Sequence, residues 1–281
     1  MLKIGFIDLF LDEWHADNYV SWIEEASEGR FRVSHAYADR EPTEEGKRRN
    51  SQFCKDHGLE LVHSLDELIA ASDCIIVLAP DHPEEHVRLA RQALQSGKPV
   101  YIDKTFANTA EEAQYLVELA EQHGTPLFSS SALRFSQAYT GLPENKIHSI
   151  VSYGGGTPEH YVIHQLEPLM MLLKSRVTRG MSWGSEGNAV FLLEFLSNQR
   201  VTVIQNDHQS FGMTVSSGDQ VLHVKADDDY FAGLIRSMLA FFETALAGRA
   251  VSPVDAEQTV AIIAARELIL QSMTKPGEWI E

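Results

Sequence analysis

Over its first 130 residues the chain alternates short apolar runs with segments of helical spacing. Residues 2–8, 31–38, 59–62, 73–79, 100–103 and 126–130 read as strands. The run 73–79, Asp-Cys-Ile-Ile-Val-Leu-Ala, has apolar positions on both faces, the pattern of a strand covered on both sides. Between the strands, residues 14–25, 43–57, 65–71, 83–96 and 110–123 have the spacing of helices. Gly58, Gly97 and Gly124 stand at the ends of three of them, where a left-handed residue stops a helix. Ser64, with Glu67 three residues on, opens residues 65–71 as a capping box. Strands that alternate with helices need right-handed crossovers, which predicts a doubly wound parallel sheet.

The pattern changes after Gly141-Leu142-Pro143, which places a domain boundary near residues 134–145. Residues 148–153 alternate as a strand, Gly154–Gly156 interrupt them, and a helix runs to about 174. Four strand-like runs follow, 189–196, 200–206, 212–216 and 220–224, punctuated by Gly187-Asn188 and Ser197-Asn198. That spacing predicts an antiparallel meander. Helices over 230–247 and 255–272 close the chain. The expected fold is therefore α/β: a Rossmann-like doubly wound parallel sheet in residues 1–135, then an α+β domain in 136–281 with an open, mainly antiparallel sheet.

Composition narrows the function. With 281 residues and 44% hydrophobic content, the chain is long enough for two cores. Its formal net charge of −17 argues against nucleic acid and against an anionic membrane surface, both of which need a basic face. No apolar run approaches the roughly 18 residues of a membrane span. Residues 1–6 read as the start of a strand rather than a leader. The two cysteines, Cys54 and Cys74, do not form a redox motif, and a cytoplasmic setting is expected.

Five constellations could carry chemistry. Lys104, with Asp103, ends the strand 100–103, where side chains of an α/β sheet face the ligand crevice. His160, His164 and Glu167 share one face of the helix after the glycines, which suits acid-base work by His164, a metal site or a structural polar face. The first strand-to-helix turn runs Asp8-Leu9-Phe10-Leu11-Asp12-Glu13-Trp14-His15. It holds no glycine where Gly-x-Gly-x-x-Gly belongs, and its acids repel a pyrophosphate. Asp39-Arg40 follows the second strand, where an acid meets ribose hydroxyls and an arginine a 2′-phosphate. The loop Ala79-Pro80-Asp81-His82, with His86 beyond it, should overlie the crevice.

Gly97-Lys-Pro-Val-Tyr-Ile-Asp-Lys-Thr-Phe-Ala-Asn-Thr resembles the Gly-Lys-x-Val-x-x-Glu-Lys-Pro-x-Ala-x-Thr signature of the glucose-fructose oxidoreductase, inositol dehydrogenase and MocA-like family, with Asp103 for Glu and Thr105 for Pro. Ala79-Pro80 upstream of His86, and Ala132-Leu133-Arg134-Phe135, agree with it. His160-x-x-x-His164-x-x-Glu167 is similar to the family's Asp-x-x-x-His-x-x-Asp helix. The resemblance implies an NAD- or NADP-dependent oxidoreductase that moves hydride to or from a sugar, polyol or cyclitol hydroxyl, as a homodimer or homotetramer built on the C-terminal sheet. It implies Lys104 as an orienting residue, His164 as proton acceptor, and His160 beside them. The cofactor would meet Asp8, Phe10, Leu11, Asp39, Arg40, Ala79, Pro80, His82, His86 and Asp103. The carbohydrate-like substrate would meet Lys104, His160, Arg134 and Glu167, with no metal. Lys104 and His164 are expected to converge on one pocket. The glycine-free turn keeps a non-catalytic relative with weak or absent nucleotide binding as an alternative. The histidine spacing keeps a metal-dependent lyase or isomerase as another.

Overall fold

The computed structural model describes residues 1–143, 147–185 and 187–281. The N-terminal elements are β1 (Leu2–Asp8), α1 (Trp14–Ala26), β2 (Phe31–Ala38), α2 (Asn50–His57), β3 (Glu60–Leu61), α3 (Leu65–Ala71), β4 (Cys74–Val77), α4 (His86–Leu94), β5 (Val100–Ile102), α5 (Ala110–Gln122) and β6 (Leu127–Phe128). The strands form one parallel sheet of order β3-β2-β1-β4-β5-β6. The order reverses at β1, which opens a crevice at the carboxyl ends of β1 and β4. β4 and β5 are buried along their whole length, as their unbroken apolar runs require.

The later elements are β7 (Ile147–Gly154), α6 (Pro158–Leu173), β8 (Val177–Ser185), β9 (Asn188–Phe195), β10 (Arg200–Asn206), β11 (Gly212–Ser217), β12 (Gln220–Lys225), α7 (Tyr230–Leu246) and α8 (Ala256–Met273). Their sheet has the order β12-β11-β7-β10-β9-β8. Phe191, Leu193, Phe195, Val201, Val203, Met213 and Val215 make its buried face. The alternate residues Val190, Leu192 and Ile204 are half-buried, and Trp183 is exposed.

Three sequence expectations need correction. The helix read over 43–57 begins only at Asn50: Gly46 takes a left-handed φ of 88°, while Lys47 and Arg48 reach to the backbone and carboxylate of Asp12. The meander is broken, because α6 carries the chain over the sheet and β10 returns parallel to β7. Strand β8 went unread because Gly180, Ser182 and Gly184 erase its alternation. At Gly180 a Cβ would lie 2.4 Å from a Leu268 methyl carbon, so a side chain there would make Leu268 of α8 shift.

The chain divides into two compact units, Met1–Ser130 with Ile235–Ala256, and Ser131–Leu234 with Glu257–Glu281. The return of 235–256 to the first unit is an aromatic contact: Phe242 stacks near Phe31 and Phe241 near Phe128, with centroids 6.3 and 5.6 Å apart. Among the described residues no helix is long and apolar enough to cross a membrane.

Candidate active site

In the first unit the crevice forms where β1 and β4 end. Asp8, the last residue of β1, is fully buried. Its Oδ1 accepts hydrogen bonds from the amides of Leu9 (2.7 Å) and Ala79 (3.1 Å). Its Oδ2 is buried with no hydrogen-bond partner among the described residues. Burial, more than the repulsion of Glu13 and Asp103, pushes the Asp8 carboxyl well above the usual carboxylate range. Ala79 stands at a left-handed φ of 65°, a strained conformation for alanine. A cavity of about 270 Å³ is lined by Asp8, Phe10, Glu13, Lys47, Pro80 and Asp81, among others.

Lys104 follows β5 and is only 8% exposed. Its Nζ donates to Pro80 O at 2.9 Å and lies 3.5 Å from Asp81 Oδ1. A buried ammonium held by one carbonyl and one carboxylate is oriented rather than solvated. Asp103 beneath it is buried. The Tyr101 hydroxyl stands 3.2 Å from its Oδ1 and 3.0 Å from Ser130 O, donating to one at a time. The imidazole of His15 stands 4.0 Å from Asp103 Oδ2, and burial lowers its pKa against the pull of that carboxylate.

The first turn departs from a dinucleotide cradle. Leu9, Phe10 and Leu11 are buried, and three amides of the turn have internal partners. Leu9 N–H donates to Asp8, Leu11 N–H to Asn50 Oδ1 at 2.9 Å, and Glu13 N–H to Leu11 O at 2.7 Å. Asn50 also donates to Arg40 O at 2.7 Å, so it ties the turn to the segment after β2. Asn50→Ala should cost about 1–3 kcal/mol by leaving a buried amide unsatisfied, read from a thermal melt; an unchanged melt would show that the turn does not need the tie. Among the residues that line the cavity, Lys47 brings an ammonium, its Nζ 5.5 Å above the Phe10 ring and 3.5 Å from Glu13 Oε1, and Asp8 brings a carboxyl whose burial favours the protonated form. The structure thus has groups that fit a pyrophosphate, though not the glycine amides usual at this turn.

Other expected cofactor residues are placed differently. Asp39 is gripped by Arg88 through two bonds of 2.6 and 3.0 Å, and Arg40 is exposed beside it. His82 Nδ1 lies 3.1 Å from Glu84. His86 is a correction. It is fully buried, with Nδ1 3.1 Å from Phe106 O and Nε2 2.7 Å from Leu78 O. Both ring nitrogens face backbone carbonyls; burial favours the neutral ring, which has one N–H and donates to one carbonyl at a time, so the ring is enclosed by backbone rather than turned to a ligand. Cys54 and Cys74 are buried thiols, pushed up to about 11 and about 12 by burial.

In the second unit α6 starts directly after the glycines. A Cβ at Gly155 would lie 2.5 Å from Gln209 O, and at Gly156, φ 80°, 2.4 Å from the Tyr161 ring. Buried Gln205 donates to the carbonyls of both. His160 is half-buried in the first helical turn, and His164 lies one turn on. The His164 ring is 5.6 Å from Phe211, and its Nδ1 is 2.6 Å from Ser131 Oγ. Arg134 and Glu167 are the second correction. Glu167 accepts from Ser131 N–H at 3.0 Å and from Arg134 Nη1 at 3.0 Å, and Arg134 also reaches Gln258. Both side chains are buried, so they hold the segment 131–135 to α6 instead of meeting substrate. The same geometry removes Glu167 from a metal set with His160 and His164. Among the described residues no group of three His, Cys, Asp or Glu could hold a metal ion. Ser131, Asn50 and Lys47 were missed in the sequence; Ser129-Ser130-Ser131 offers at best a weak signal, and Asn50 none.

Residues 42–131 match the family model GFO_IDH_MocA, described as an oxidoreductase family with an NAD-binding Rossmann fold. Over this segment, about a third of the chain, it is similar to the Gfo/Idh/MocA oxidoreductase family. Among curated relatives, inositol 2-dehydrogenase of Agrobacterium fabrum is 29% identical over 38% of this chain and 38% of its own length. An uncharacterized oxidoreductase of Schizosaccharomyces pombe is 41% identical over 21% of this chain and 16% of its own. The chain thus spans well under half the length of the curated relatives it matches. Solved structures share the fold over nearly the whole chain. A probable dehydrogenase of Thermotoga maritima superposes with a TM-score of 0.82 at 14% identity, covering 99% of this chain and 98% of its own. The scyllo-inositol dehydrogenase of Lactobacillus casei, solved with NAD(H) and scyllo-inositol, gives 0.80 at 14%, covering 100% and 98%. At 14% identity both show that the fold of this chain, a parallel sheet and a second, mostly antiparallel one, is shared.

Proposed function

We propose that this chain is an NAD(P)-dependent oxidoreductase acting on a sugar, polyol or cyclitol hydroxyl. The observation that supports it most is Lys104: a nearly buried ammonium at the end of β5, held between Pro80 O and Asp81, in the chain segment that carries the family match. When bound, a nicotinamide nucleotide supplies the hydride acceptor or donor. Asp8, Lys47 and the Ala79–Pro80 loop would hold it, with Asp39 and Arg40 near its ribose. Lys104 orients the substrate oxygen and stabilises negative charge there. His164 takes the hydroxyl proton. With Nδ1 against Ser131 Oγ, the transfer falls to Nε2, and an imidazole is suited to it near neutral pH. His160, one helical turn away, is assigned to neighbouring substrate hydroxyls. A homodimer or homotetramer built on the second sheet belongs to the same reading.

The internally bonded amides of the first turn favour a second reading, a relative that has kept the fold and lost the nucleotide. Calorimetric titration separates the two. The first reading expects saturable heat with NADH or NADPH, and a melting temperature that rises with ligand concentration. No heat and no protection up to millimolar nucleotide would leave the second.

A further inference from the structure

We propose that Asp8 binds the dinucleotide as a neutral acid, its Oδ2–H donating to a pyrophosphate oxygen where the glycine-rich turn ordinarily offers an amide. This rests on the reading that a nicotinamide dinucleotide binds the crevice.

The geometry divides the two oxygens of Asp8. Oδ1 takes both amide donors, from Leu9 and Ala79. Oδ2 is buried, without a partner among the described residues, and belongs to a side chain that lines the cavity. An ionised carboxylate so placed would leave an uncompensated oxygen away from water. Among the described residues no lysine, arginine or histidine stands within 4.0 Å of it. The groups around it are mostly acidic. Glu13, at the start of α1, and Asp103, after β5, both act on it as like charges. Glu44, Asp81, Lys47 and His82 complete the cavity wall. Burial and the two like charges all favour the protonated form, and a protonated carboxyl donates a hydrogen bond as an amide does. The first residue of the turn can therefore be an acid and still meet a phosphate, provided it keeps its proton.

The consequence is a proton link with a definite sign. Neutral Asp8 attracts the phosphate and ionised Asp8 repels it. Affinity is therefore full at low pH and falls as pH rises through the Asp8 pKa, approaching tenfold per pH unit beyond it. Asparagine carries a donor at every pH, so Asp8→Asn removes the link. Asp8→Gly restores the usual turn residue and removes it too.

The test is the dissociation constant of NADH between pH 6 and 9, by calorimetry, for the wild type, Asp8→Asn and Asp8→Gly. ADP-ribose and adenosine serve as further probes. The expected result is weakening with pH for NADH and ADP-ribose in the wild type, a flatter profile in at least one folded variant, and no such slope for adenosine, which lacks the pyrophosphate. His82, Glu13 and Lys47 remain in every variant, so the difference between profiles belongs to Asp8. Equal slopes in wild type and variants overturn the proposal and leave the dinucleotide reading standing. So does a flat wild-type profile. Absence of NADH binding to the wild type at any pH overturns both.

Discussion

Lys104→Ala and His164→Ala are each expected to lower turnover at least about a hundredfold, the scale of a lost acid-base contribution. On the proposed reading Lys104 would act through the charge and hydrogen bond it brings to the reacting oxygen, and His164 through the proton. If both serve the same hydroxyl, their effects do not multiply. The double variant falls close to the worse single, as with residues that work as a unit. The measurement is steady-state turnover of NAD and NADP against a panel of cyclitols and sugars, with melting curves to show that the variants remain folded. Turnover unchanged in both single variants would end the assignment. A fully multiplicative double variant would show that the two residues serve different steps.

Glu167→Ala is expected to cost about 3–5 kcal/mol, the scale of a buried charge deprived of its partner. The change strips Arg134, itself 9% exposed, of its carboxylate. It also leaves the Ser131 amide without its acceptor. Ser131 carries the hydroxyl against His164, so the loss reaches the candidate base by a known path. Glu167→Gln keeps the shape and the acceptor and should cost less. Arg134→Ala combined with Glu167→Ala should cost less than the sum of the two, since neither charge is then orphaned. Urea unfolding reads these differences as shifts of midpoint at constant slope. A shift below about 1 kcal/mol for Glu167→Ala would place this pair among weak surface ion pairs.

Where apolar spacing is unbroken, the elements are legible from the chain alone. The run Cys74–Val77 is a buried strand in sequence and in structure, and Gly58 ends α2 in the left-handed conformation a stop signal requires. Lys104 is readable for the same reason, since it directly follows such a strand. Legibility fails where a residue's partner is distant. Glu167 has the same spacing whether it faces a sugar, a metal or Arg134, and a contact 33 residues away decides between them. His86 has a helix-start position suited to a ligand, yet carbonyls 8 and 20 residues distant enclose it. Asn50 holds the first turn across 39 residues and leaves no local sign.

The alternation of apolar runs and helices, the two sheets and the lysine at a strand end were written in the order of side chains, because burial at a period of two or 3.6 is a local property. Which buried polar atoms find partners was not, because pairing depends on the packing of segments far apart along the chain. That is why Arg134 and Glu167 became a brace, and why Asp8 was left with one buried oxygen without a partner among the described residues.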